Sequence, residues 1–244
     1  MVRREVGPVG PGDMEPQPGR AALVRPLLPR PGLDRRRRRR VADPAPPAPD
    51  RSRALSRDDL ERLLARDDVA LRDKTLWRML YETAARAHEI LALDVADLDL
   101  TNRKAKVRRK GGAADIVVWR TGTARLLPRL LRGRKTGPLF LTGRRARVQL
   151  PPGDIDPDSG RARLSYRQAA ALFEAATRDM PGGPWTLHQL RHSALTHAAE
   201  EGASTATLLT YSGHTSVASL ARYARVSPEA LGRWQAQRDC ARRR

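Results

Sequence analysis

The chain is short of several residue types, and each shortage excludes something. It has one cysteine, Cys240, in 244 residues. A single cysteine cannot build a disulfide framework or a cysteine zinc site, so a reducing, intracellular setting is expected. Aromatic residues make up 4% of the chain, which disfavours a single-strand binder built on stacking platforms. No apolar run approaches the roughly 18–20 residues that a membrane span needs. The N-terminus begins basic, but no apolar segment follows, so no secretory signal is expected. Negative charge is also scarce. The chain holds 27 Asp and Glu against 47 Lys and Arg, a formal net charge of +20. Such a surplus points to a polyanionic partner, most simply nucleic acid.

The charge is unevenly placed. Residues 1–53 carry 13 Arg, no Lys and 6 acidic residues, a net of +7. The same segment holds 11 of the 19 prolines and the run Arg35 to Arg40. Like charges repel, and proline breaks both helices and sheet ladders. The composition predicts a disordered, basic leader over 1–53, able to touch nucleic acid non-specifically or inert. The remainder carries +13. It divides into a folded domain over 54–235, long enough to own a core, and a basic tail over 236–244.

Helical signals begin at Ser56, an N-cap candidate followed by Asp58 and Asp59 in the first turn. Leu60, Leu63 and Leu64 give that helix an apolar face. A second helix is predicted over 72–83 from Leu76, Met79 and Leu80, and a third over about 86–93. Val107, Gly111-Gly112 and the run Ile116 to Trp119 predict a β-hairpin with a glycine turn. Residues 141–164 carry Pro, Gly, Asp and Arg and predict a long loop. Ser165 caps a further helix whose face is Ala169, Leu172, Phe173 and Ala176. Thr186 and Gln189 form a capping box. Their helix runs to Glu201, where Gly202 supplies a stop. A short helix over 205–211 follows. Ser227-Pro228 opens the last one, which runs to about Cys240. The expected fold class is mainly α with a small antiparallel β-sheet (α+β).

Several residues in this frame carry chemistry. Arg86 opens a helix, and Glu89 three residues on can hold its guanidinium by a charge-assisted bond. His188 and Arg191 are again three apart, at a helix N-terminus whose N–H groups suit a phosphate. Gly213-His214 and Arg222-Tyr223 follow, Tyr223 standing nine positions after His214. Arginine grips two phosphate oxygens in a planar fork and keeps its charge. Tyrosine is a nucleophile with a phenolic pKa near 10, so it needs positive surroundings or a base. Two arginines, two histidines and a tyrosine suggest phosphoryl chemistry without a metal. His188 and His192, four apart, can in principle bind zinc. No third ligand stands at metal spacing, so neither metal nor cofactor is expected. His192 and His197 are read as structural or solvated. His88, two residues from Arg86, is expected to point elsewhere around the helix. Trp119, Trp185 and Trp234 are read as core or rim.

Together these segments resemble the catalytic domain of the tyrosine recombinases, the phage-integrase family. Leu80 to Leu91 is similar to the family's first arginine stretch. Leu187-His188-Gln189-Leu190-Arg191-His192 is similar to its second box. Ser212-Gly213-His214 with Tyr223 is similar to its third. Arg109-Lys110-Gly111 stands where the family carries a lysine on a β-hairpin. The resemblance covers about 54–235. It implies a DNA breaking-rejoining enzyme, a site-specific recombinase or integrase. Tyr223 would attack the scissile phosphate and form a 3′-phosphotyrosine. Arg86 and Arg191 would clamp its oxygens, and Lys110 would protonate the departing 5′-oxygen. His188 would act as general base, His214 would bond the phosphate, and Glu89 would buttress Arg86. The implied partners are double-stranded DNA and further copies of the chain, as a tetramer on DNA. No small-molecule substrate and no membrane are implied. The implied place of action is the cytoplasm, at the nucleoid.

The chain departs from the family pattern in places. Ala84 replaces a glycine before the first arginine. Gly111-Gly112-Ala113-Ala114-Asp115 stands where further basic residues are usual. Tyr211-Ser212 replaces an apolar pair. Residues 1–53 are too short and too rich in Pro and Arg to be the helical core-binding domain that precedes the catalytic domain in the family. Two alternatives stay open on the sequence. One is a DNA-binding remnant that no longer recombines, and the other is strand relaxation in the manner of a type IB topoisomerase.

Overall fold

The computed structural model describes residues 54–109, 112–220, 223 and 228–238. The expected leader, Lys110, Ser227, Cys240 and most of the basic tail lie outside the described residues.

The described elements run in the order α1 (Arg57–Ala65), α2 (Leu71–Thr83), α3 (Ala87–Leu91), β1 (Leu98–Asp99), β2 (Lys104–Arg108) and β3 (Ala114–Val118). Then come α4 (Thr121–Leu131), β4 (Leu141–Arg145), β5 (Arg161–Arg163), α5 (Tyr166–Ala176), α6 (Leu187–Glu200), α7 (Thr205–Ser212) and α8 (Pro228–Arg238). The fold is mainly helical with small antiparallel sheets. One sheet has the order β1-β2-β3 and the other pairs β4 with β5. Among the described residues, no helix is long and apolar enough to cross a membrane.

Local signals place most helix starts. Ser56 accepts a hydrogen bond from the Asp59 amide at 3.1 Å, and Ser165 accepts one from Gln168 at 3.3 Å. Each satisfies one of the free N–H groups of a first turn. The Thr186–Gln189 capping box forms, with the Thr186 amide donating to Gln189 Oε1 at 2.8 Å. The hairpin forms in one register from Lys104↔Val118 to Arg108↔Ala114. Ala105, Val107 and Val117 face the core. The turn carries Gly112 at φ +83°, a conformation that suits glycine.

The core is centred on α2. Leu76, Trp77, Met79, Leu80 and Tyr81 are all buried, and so are Asp73, Thr75, Glu82 and Thr83. A helix buried on all sides shows a weaker apolar stripe than its burial deserves. It packs against α4 and α6. The Trp77 ring meets Phe173 of α5 edge-on, with centroids 5.1 Å apart. Trp119 and Trp185 belong to the core, and Trp234 is 43% exposed on α8.

Three expectations are corrected. Residues 141–164 are not one long loop, because β4 and β5 pair from Leu141↔Arg163 to Arg145↔Arg161. Their pairing is a backbone ladder with no alternating apolar face, so side-chain pattern did not reveal it. Residues 121–131, to which no element was assigned, form α4 around a proline at position 128. The apolar face of α5 is narrower than expected. Ala169 and Phe173 are buried, whereas Leu172 is 38% exposed.

Candidate active site

The end of α2 and the start of α3 place the first arginine. Ala84 ends α2 in the left-handed region, with φ 49° and ψ 18°. An alanine there costs about 1 kcal/mol relative to glycine. Arg86 is then the N-cap of α3 in extended conformation. Its amide donates to Glu89 Oε2 at 2.9 Å, and its guanidinium donates to Glu89 Oε1 at 3.0 Å. The Glu89 side chain is fully buried, while Arg86 keeps a third of its side chain exposed. Glu89 thus orients Arg86 without covering it.

α6 supplies the second arginine. Arg191 is 3% exposed. Its Nη1 donates to the Ala84 carbonyl. Its Nη2 donates to the Ser212 carbonyl at 2.9 Å and lies 3.1 Å from His214 Nε2. Burial first, and the nearby Arg86 cation second, pull the Arg191 pKa down to about 10. It still carries its charge at neutral pH, held in place by carbonyl dipoles and Glu89.

The end of α7 brings in the third box. Gly213 caps α7 at φ 62°, and the His214 amide donates to Ser212 Oγ at 3.2 Å. The departure at Tyr211-Ser212 has a structural use. The Tyr211 hydroxyl donates to the carbonyls of Tyr81 and Glu82 at 3.2 and 2.9 Å. It thereby closes the C-terminal end of α2, and burial pushes its pKa up to about 12. Ser212 is fully buried, and its carbonyl serves Arg191.

Tyr223 is 3% exposed. Its ring stands between two imidazoles. His192 meets it edge-on at 5.0 Å, and His214 lies nearly parallel at 6.2 Å. A cleft of about 610 Å³ is lined by Arg86, His188, Arg191, His214 and Tyr223, together with His88 and Tyr166. So the structure gathers five of the expected residues on one cleft and puts Glu89 behind Arg86. Lys110 lies outside the described residues, but Arg109 beside it is described.

Four residues of the site are new or differently placed. His88 does not point away, because it lines the cleft. Arg86 sits outside the helix as its cap, so the helical rotation between the two positions does not apply. His192 packs on Tyr223 rather than serving only as scaffold. Tyr166 comes from the start of α5 and had no sequence signal. Arg109 is also built into the site. Its guanidinium donates to Glu89 Oε2 at 3.1 Å, to the Ser212 carbonyl at 3.1 Å and to Asp115 Oδ2 at 2.9 Å.

Two guanidinium groups on one buried carboxylate, with the Arg191 guanidinium beside them on a cleft that also holds a tyrosine, make an anion site with a nucleophile at its edge. A helical domain carrying that site defines a class, the catalytic domains of tyrosine recombinases, and the solved structures agree in fold. A crystal structure of XerA recombinase superposes with a TM-score of 0.61 at 21% identity, over 77% of this chain and 65% of that one. The Tn1549 transposon integrase in complex with circular intermediate DNA gives a TM-score of 0.55 at 17% identity, over 76% and 67%. In sequence, the tyrosine recombinase XerC of Mycobacterium leprae (strain TN) is 32% identical over 173 residues, or 68% of this chain and 53% of that protein. XerC of Bifidobacterium longum (strain DJO10A) is 30% identical over 193 residues, or 79% and 54%. Residues 53–230 match the phage integrase family, and the chain belongs to that family. It spans about half the length of the XerC proteins that it matches.

Proposed function

We propose that this chain is the catalytic domain of a site-specific DNA recombinase that cuts and rejoins duplex DNA through Tyr223. The observation that carries the proposal is the shared cleft of Arg86, Arg191 and Tyr223, with both guanidiniums held by buried partners. The Tyr223 oxygen attacks the scissile phosphorus, and a Tyr–O–P bond forms as the P–O5′ bond breaks. The phenolic proton passes to His188. Lys110 gives a proton to the departing 5′-oxygen. Arg86 and Arg191 neutralise the charge that builds on the non-bridging oxygens, and His214 adds a hydrogen bond. The 5′-hydroxyl of a partner strand then attacks the 3′-phosphotyrosine and releases Tyr223. Bond energy is kept in the phosphotyrosine, so no ATP is consumed.

The partner is double-stranded DNA, met in the cytoplasm at the nucleoid. Assembly as a tetramer on DNA is supported by α8, which exposes Leu231 and Trp234 at 49% and 43%. Light scattering with and without duplex DNA checks the assembly.

The catalytic test uses a nicked suicide duplex, in which the fragment carrying the 5′-hydroxyl diffuses away after cleavage. Wild type is expected to become covalently attached to the DNA, and Tyr223→Phe is not. Absence of the adduct from wild type overturns the proposal. Binding that falls steeply with salt, with no adduct, assigns the chain to a DNA-binding remnant instead.

A further inference from the structure

We propose that Arg109 is a positioning residue for the cleavage step, a brace between Arg86 and Arg191 that keeps their positive charge directed at the cleft. The inference rests on the catalytic reading above and deepens it.

Arg109 follows β2, and its side chain runs inward, 8% exposed. A single atom makes the brace. Its Nη1 donates to Glu89 Oε2 and to the Ser212 carbonyl, each at 3.1 Å. Those two acceptors belong to the two halves of the site. Glu89 Oε1 takes the Arg86 guanidinium, and the Ser212 carbonyl takes Arg191 Nη2. Arg109 Nε donates to Asp115 Oδ2 at 2.9 Å, which ties the brace to β3. Gly213 sets the space for it, since a Cβ there would collide with the guanidinium. Arg109 is not among the described residues that line the cleft. It therefore acts through its neighbours rather than on the phosphate.

The same bonds have an electrostatic effect. A Glu89 that faced Arg86 alone would offset most of that cation's charge. Shared with Arg109, it offsets less of each, because one negative charge stands between two positive ones. Asp115 balances Arg109 with a side chain that is 41% exposed, where water screens its pull on the cleft. Arg86, with a third of its side chain exposed, is left with charge to direct at an oxyanion.

A stability role alone does not explain the arrangement. Arg109 is buried beside two other guanidiniums, and its Nη2 makes no hydrogen bond among the described residues. Burying a cation with a donor unmet opposes folding. The bonds it does make fall on the two acceptors that hold the cleft arginines.

The test separates charge placement from fold. In a suicide duplex with a methylphosphonate at the cleavage position, a methyl group replaces one non-bridging oxygen. That linkage is neutral, so the arginines have no anionic charge to offset in it. Arg109→Ala is expected to slow adduct formation about 10²-fold on the phosphate duplex, the scale of a misplaced catalytic group. On the methylphosphonate duplex the loss is expected to shrink to about 10-fold or less, because wild type has lost the same charge stabilisation there. Duplex affinity is expected to stay within about threefold of wild type, as for a group felt mainly in the transition state. Arg109→Lys keeps the charge but lacks the fork that reaches Glu89, Ser212 and Asp115 together. It is expected to show the same pattern with a smaller loss. Circular dichroism and thermal unfolding check each variant.

A wild-type rate for Arg109→Ala on the phosphate duplex overturns the inference. So does a loss carried by duplex affinity alone. An equal loss on both duplexes, in folded protein, overturns it too and leaves Arg109 a structural role. If Arg109→Ala does not fold, Arg109→Lys decides: a loss that shrinks on the methylphosphonate upholds the inference, and any other result overturns it. If wild type cuts the phosphate duplex but not the methylphosphonate, Gly213→Ala decides. Its rate loss is then expected to all but vanish in the background of the folded Arg109 variant, and an undiminished loss overturns the inference. A wild-type chain with no adduct on the phosphate duplex defeats the catalytic reading itself, and this inference with it.

Discussion

Two buried carboxylates, Glu82 and Glu89, stand seven residues apart and serve opposite ends. Glu82 accepts the Arg120 and Thr123 amides at 2.9 and 3.2 Å, with the Arg78 guanidinium 3.6 Å away. Those amides are at the start of α4, so Glu82 caps that helix from a distance. Glu89 is met instead by two guanidiniums, Arg86 and Arg109. A glycine packs against each cluster. A Cβ on Gly122 would strike Glu82 and Arg78, and one on Gly213 would strike Arg109. The packing is alike, but the partners differ. Two backbone amides and the Arg78 guanidinium use up the charge of Glu82 inside the fold. Around Glu89 positive charge is in excess, and it opens onto the cleft. Glu82 joins a helix start to α2, whereas Glu89 joins two guanidiniums beside the cleft.

The largest effect expected from this contrast is at Arg191. Arg191→Met is expected to slow adduct formation about 10²–10³-fold, while the unfolding midpoint moves little. The sign follows from its lowered pKa. Between about 10 and the ordinary 12.5 the unfolded chain binds more protons than the native one, so stability rises with pH across that window. Below it, the buried charge opposes folding, and removing the charge offsets the lost bonds to the Ala84 and Ser212 carbonyls. Calorimetry beside single-turnover cleavage checks both halves. A midpoint that collapses together with the rate would erase the contrast.

Glu82→Ala is expected to do the reverse. Leaving the buried Thr123 amide unmet costs about 1–3 kcal/mol, or a fall of several degrees in midpoint, while adduct formation at low temperature stays close to wild type. A strong rate loss in folded Glu82→Ala would make the two regions one.

The glycines sharpen the same comparison. Gly122→Ala should lower stability by about 1–3 kcal/mol through overpacking and spare the rate. Gly213→Ala should lower the rate as well, because the Arg109 guanidinium must move. Equal rates for the two variants would contradict this.

The smallest effect is at Ala84. Ala84→Gly relieves a left-handed alanine and should raise stability by about 1 kcal/mol or less, with cleavage unchanged. Urea unfolding would detect it as a higher midpoint at an unchanged slope.

Much of the site was legible in the sequence because its parts are local. Arg86 with Glu89, His188 with Arg191, and His214 with Tyr223 each sit within one short stretch, and their order carried the family resemblance. Helix caps at Ser56, Ser165 and Thr186 were legible for the same reason. The strands β4 and β5 were not, since their ladder uses backbone groups that any residue has. Helix α4 was hidden by its internal proline and by a cap that comes from Glu82. His88 was misplaced because the backbone at Arg86 is extended rather than helical.

The sequence alone determined which groups are present and how closely they follow each other along the chain: the two cleft arginines, the histidines, the nucleophile candidate and the caps. Those depend on hydrogen bonds that close over three or four residues. Only the tertiary structure decided which groups meet. Arg191 reaches a carbonyl 107 residues away, and Arg109 reaches one 103 residues away. Tyr223 is enclosed by imidazoles from two different segments. Such contacts are made when packing of the core brings distant segments together, and no local spacing along the chain encodes them.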